Sequence, residues 1–99
     1  MPQTEVGTSE DLLTELATWV RLETPTTDPS AVNRLMDVAE AELARAGASL
    51  TRIPGRNGFG DNLVARTPGE GAPVLVAGHL DTVWSHGTLA GMPYQVNGT

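Results

Sequence analysis

Apolar residues recur three and four positions apart through the first half of the chain, then give way to short runs and alternations. In "TSEDLLTELATWVRLET", Leu12, Leu13, Leu16, Ala17 and Val20 fall on one helical face. Thr8 or Ser9 can cap this helix, Glu10 and Asp11 suit its first turn, and Pro25 predicts a stop near Thr24. In "DPSAVNRLMDVAEAELARAG", Val32, Leu35, Met36, Ala39 and Leu43 keep helical spacing. Asp28 is the expected cap, Pro29 the first helical residue, Arg45 a last-turn cation and Gly47 a left-handed terminator. This stripe is read as core packing against a sheet.

The pattern then shortens. "ASLTRI", "NLVAR" and "PVLVAG" read as three strands, separated by the loop "PGRNGFGD" and the turn "TPGEGA". "MPYQVNGT" reads as a further strand running into an Asn-Gly turn. Two helices followed by a mixed sheet of three to four strands predict an α/β layer, within one domain spanning residues 1–99. An apolar run such as "PVLVAG" predicts a strand buried on both faces.

Composition narrows the chemistry. The chain has 99 residues, and a chain that long buries only roughly 60 to 65% of its unfolded surface. With four aromatic residues, its core is aliphatic. Its net charge is −6 and no basic stripe occurs, so nucleic acid is not an expected partner. There are no cysteines, which leaves His, Asp and Glu as metal ligands. The start, "MPQTEVGTSEDLL", has neither a basic region nor a long apolar run, so no signal peptide and no membrane association are expected. A cytoplasmic location is the expectation.

Three groups could carry chemistry. Gly55, Gly58 and Gly60 in "GRNGFGDN" could line an anion pocket, but Asp61-Asn62 follows where a phosphate loop needs Lys-Ser/Thr. A flexible connector is the expected role. Ser85-His86 lacks a "GxSxG" elbow, and adjacent residues on a turn rarely aim at one another as a serine triad requires. His79 and Asp81 differ from both. Two apart on an extended backbone, they point to one face, at the carboxyl end of a strand where crevices open. A neutral imidazole can bind a metal while a nearby carboxylate orients the ring. From spacing alone, a histidine capped by an aspartate for structural reasons fits equally.

The stretch "VLVAGHLDTVW", followed by "GTL" and "MPYQVNG", resembles the first motif of the co-catalytic dizinc metallohydrolases. That family includes acetylornithine deacetylase, succinyl-diaminopimelate desuccinylase, aminoacylase and glutamate carboxypeptidase. "WVRLETPTTDPSAVNRL" and "GDNLVAR" follow the family's order from about residue 9 onward. Trp84 and Gly87-Thr88-Leu89 are most similar to the glutamate-carboxypeptidase-like branch. The resemblance implies a partial zinc-exopeptidase-type catalytic domain that hydrolyses an N-acyl amino acid or a C-terminal peptide bond. His79 matches the histidine that binds one zinc ion. Asp81 matches the aspartate behind it, which tunes the site without coordinating, and is the catalytic candidate. His86 matches no ligand. Two zinc ions per site, with cobalt as an alternative, a small-molecule or peptide substrate and a homodimer are implied for a full-length parent.

In relatives the bridging aspartate comes from a "GPGxxDxKGG"-like segment, and the general base, the remaining ligands and a lid domain follow it. None of these maps onto residues 1–99, so the resemblance implies an amino-terminal piece that is inactive alone. The alternatives are a non-catalytic paralogue and a stand-alone α/β module whose His-x-Asp is structural.

Overall fold

A computed structural model describes residues 7–97 of the chain. Helix α1 runs Ser9–Val20. Thr8 caps it reciprocally: its hydroxyl accepts from the Asp11 amide at 3.0 Å, and the Asp11 carboxylate accepts from the Thr8 amide at 3.2 Å. Helix α2 runs Pro29–Arg45, with the Asp28 carboxylate accepting from the Ala31 amide at 3.1 Å and Pro29 at the first position. Gly47, at φ 94°, follows the helix in the left-handed region. These boundaries match the sequence reading, except that α1 ends at Val20, short of the expected stop near Thr24.

Strands β1 (Ser49–Ile53) and β2 (Asn62–Arg66) pair antiparallel, with Leu50 opposite Ala65 and Arg52 opposite Leu63. Helix α2 packs on this hairpin. Its buried face is Ala31, Val32, Leu35, Met36 and Ala39, so the expected core stripe holds, with Leu43 half-buried at its end. Burying Leu35 alone stabilises the fold by roughly 1.5 to 3 kcal/mol.

Arg52 fastens the hairpin to the helix. Its guanidinium donates to Glu40 at 2.7 Å, Asp37 at 3.0 Å and Asp61 at 2.9 Å. The other oxygen of Asp61 accepts from the Gly55 amide at 2.9 Å, and the Asp61 amide donates to Asn33 at 2.8 Å. The Gly55 bond, reinforced by Arg52, holds the Asp61 carboxyl below its ordinary value. The "PGRNGFGD" connector is therefore pinned at both ends, which corrects the reading of it as flexible. Its glycines answer to space: a Cβ on Gly60 would lie 2.5 Å from Val32 Cγ1, and one on Gly55 would lie 2.0 Å from the Phe59 carbonyl oxygen.

The α/β class holds, but the sheet has two strands rather than three or four among the described residues. Residues 73–78 join no sheet, and Val74, Leu75 and Val76 are 87 to 89% exposed. A strand buried on both faces needs a neighbour on each edge and a layer above and below. Here α2 packs on the hairpin, and among the described residues no further layer lies over residues 73–78. The last segment also departs from the strand reading. After the short helix α3 (Thr88–Gly91), the Tyr94 hydroxyl donates to the Leu13 carbonyl at 3.2 Å, and the Arg21 guanidinium lies 5.8 Å from the centre of its ring. Residues 1–6 and the second half of the Asn97-Gly98 turn lie outside the described residues. Among those described, no helix is long and apolar enough to cross a membrane.

Much apolar surface stays open. Leu12, Leu13, Leu16 and Val20 on α1 are 38 to 55% exposed. The radius of gyration is 15.5 Å, against about 13 Å for a compact chain of this size. Leu35→Ala is expected to cost about 2 to 5 kcal/mol in urea unfolding. Leu75→Lys should change stability by no more than about 0.5 kcal/mol while reducing self-association in light scattering. A large loss from Leu75→Lys would show that this segment is packed. Arg52→Met should destabilise by roughly 1 to 3 kcal/mol, measured the same way, because three carboxylates lose a shared donor.

Candidate functional site

The connection between α1 and α2, residues 21–28, crosses the segment that carries His79 and Asp81. Pro25 and Thr82 form an isolated parallel bridge. The Thr82 amide donates to the Thr24 carbonyl at 2.8 Å, and the Thr26 amide donates to the Thr82 carbonyl at 2.9 Å. Thr24, 2% exposed, donates its hydroxyl to the Leu80 carbonyl at 2.7 Å. A buried hydroxyl needs such a partner, and the Leu80 carbonyl supplies it. The "TPT" of the sequence is thus a two-hydroxyl clamp, not only a helix break. No local pattern announces it, because its partners lie 56 residues away.

The clamp sets the site. The Thr26 hydroxyl lies 2.7 Å from Asp81 Oδ2. That bond comes first in holding the Asp81 carboxyl below its ordinary value; partial burial opposes it, and the backbone and the nearby His79 ring add to it. The carboxylate's other oxygen, Oδ1, lies 3.5 Å from His79 Nδ1. The two side chains sit together, as residues two apart on an extended segment do. They leave a pinned, non-sheet segment rather than the end of a sheet strand, which corrects that part of the expectation.

His79 and Asp81 both line an open cleft of about 840 Å³. Val32 and Met36 of α2 form one wall, and Arg56, Phe59 and Asp61 of the connector form another. The His79 side chain is 90% exposed, so its ring is free to meet a ligand. As a donor set, one imidazole with a carboxylate behind it suits a single metal ligand and its support. Among the described residues, no three His, Cys, Asp or Glu side chains cluster closely enough to hold a metal ion.

The remaining candidates serve the fold. His86 Nε2 lies 2.7 Å from Asp28 Oδ2, so this ring nitrogen is paired with the cap of α2 rather than with Ser85 or Asp81. Glu23, which the sequence did not single out, accepts from the Gly87 amide at 2.9 Å and the Leu89 amide at 3.0 Å. Those bonds hold its carboxyl below the ordinary value. Asp28 is also lowered, first by His86 and then by the Ala31 amide it caps. A carboxyl lowered in the folded state contributes stability above its ordinary value of 3.8 and loses it as pH falls through the lowered value. His86→Ala should therefore make the acid limb of the pH–Tm curve shallower. An unchanged limb would show that the Asp28 pair contributes nothing.

Carboxypeptidase G2 of Pseudomonas sp. (strain RS-16) is 36% identical to the chain over 81 residues, covering 80% of this chain and 20% of that protein. The chain thus spans about one fifth of the length of the curated relative it matches. No family model and no solved structure matches. Over the aligned stretch the chain is a distant relative of carboxypeptidase G2.

Proposed function

We propose that this chain supplies one metal-binding histidine, His79, and its orienting carboxylate, Asp81, to zinc-dependent hydrolysis of an amide bond. The substrate class is an N-acyl amino acid or a peptide with a free C-terminus. The observation that carries the reading is the placement of His79 beside Asp81 on a cleft wall, in a chain related to a carboxypeptidase. Zinc, when bound, supplies Lewis acidity that polarises the scissile carbonyl and acidifies water. His79 offers a ring nitrogen to it. Asp81 orients the ring and raises its basicity. Val32, Met36 and Phe59 give the cleft an apolar wall against which substrate is held.

Catalytic zinc takes three protein ligands, and this chain offers one by motif. The remaining ligands and the general base come from a longer parent, so residues 1–99 alone are expected to show no turnover. The test compares N-acyl amino acid hydrolysis by this chain with that of the full product of its reading frame. In the full product, a chelator should abolish activity, His79→Ala should lower kcat/KM by at least about 100-fold, and Asp81→Ala by about 10- to 100-fold. Full activity in His79→Ala would refute the reading.

One observation favours a second reading. Asp81 already has a structural partner in Thr26, as a stand-alone module or a non-catalytic paralogue with a structural His-x-Asp would require. Under that reading the chain melts cooperatively at a temperature that zinc does not shift.

A further inference from the structure

Asp81 has two oxygens and two neighbours, and the neighbours divide them. Thr26 Oγ1 takes Oδ2 at 2.7 Å, a length typical of a hydroxyl donating to an ionised carboxylate. Oδ1 is left facing His79 Nδ1 at 3.5 Å. Thr26 is tied to the same segment through its backbone, because its amide donates to the Thr82 carbonyl at 2.9 Å; that oxygen also lies 2.9 Å from the hydroxyl, and the shorter distance assigns the hydroxyl proton to Asp81. Donor and acceptor are therefore fixed to the same short segment. We propose that Thr26 is a positioning residue: by holding Asp81 Oδ2 it presents Oδ1 to the imidazole and keeps the neutral His79 ring protonated on Nδ1, leaving the Nε2 lone pair for a ligand.

The physical basis is the carboxylate's field. At 3.5 Å it acts through charge more than through a short hydrogen bond, and it favours an N–H on the near nitrogen. A carboxylate free to rotate would spread that preference over many orientations. The inference rests on the metal reading above only for the use made of Nε2; the choice of tautomer stands without it.

Long-range ¹H–¹⁵N spectra of the 99-residue chain at about pH 8.5, well above the ordinary imidazole pKa, read the tautomer directly. The Nδ1–H form should dominate in the parent chain and in Thr26→Ser. In Thr26→Val, which keeps the backbone bond to Thr82, it should cease to be the major form. Persistence of Nδ1–H in Thr26→Val, with the amide shifts of residues 24–26 and 80–82 unchanged, would overturn the proposal, because a merely structural Thr26 predicts that result. A measurement on the unsubstituted chain guards against a Thr26→Val that fails to fold. The Thr26 hydroxyl proton should be protected from exchange, and in Asp81→Ala its resonance should shift as it turns from the carboxylate to the Thr82 carbonyl; a freely exchanging hydroxyl, or a resonance that Asp81→Ala leaves unmoved, overturns the proposal. Zinc addition separates the two readings: tautomer control without any zinc-induced shift at His79 supports this inference and sinks the metal reading. Zinc shifts at His79 that persist alongside a Thr26-independent tautomer do the reverse.

Discussion

The hydrogen bonds between residues 24–26 and residues 80–82 fix the segment that carries the candidate site to the α1–α2 connection. They join segments 56 residues apart, and everything specific about the candidate site follows from that crossing. Each such bond is worth about 1 kcal/mol net. Closing a loop of this size costs roughly 3 to 4 kcal/mol from its length alone. The bonds and the closure nearly cancel, so the crossing needs apolar support. Leu80 supplies part of it, half-buried beside the same hollow as Leu22 and Leu35.

A second fixed body meets the first at the cleft. Helix α2 and the β1–β2 hairpin share an aliphatic core and are tied by Arg52, 22% exposed, to Glu40, Asp37 and Asp61. Desolvation works against this guanidinium, and its hydrogen bonds to the three carboxylates outweigh it. Asp61 extends the tie into the glycine-rich connector, which forms the far wall of the cleft. The site is therefore walled by hydrogen-bonded pieces on one side and pinned by threonines on the other, although Leu12, Leu13, Leu16 and Val20 of α1 stay 38 to 55% exposed.

What the sequence disclosed follows the range of the forces involved. Helix α2 was legible to the residue because its signals, the Asp28 cap, Pro29 and the stripe from Val32 to Ala39, act within one or two turns. Strands β1 and β2 were legible because a short connector pairs neighbours. "PVLVAG" misled, because its composition reports what would bury it and not whether that partner is at hand. At the site, the nearness of His79 and Asp81 follows from their spacing. Thr24, Thr26 and Glu23 were invisible, since hydroxyls and a lone carboxylate give no local sign of partners 56 to 66 residues on. Arg52 and Asp61 were hidden for the same reason, as charges whose counterparts lie across a loop and on another element.

Pro25 lies at the centre of the crossing, and its placement has a consequence for register. In the parallel bridge, the two bonds made by Thr82 go to the residues on either side of Pro25, so the imino nitrogen sits where no donor is required. Sliding the segment so that Pro25 takes the place of Thr26 would bring that nitrogen to the donating position, and the bridge would lose a bond. The proline ring thus disfavours that misaligned alternative, and it helps keep the hydroxyl of residue 26, rather than a neighbour's, level with the carboxylate it holds.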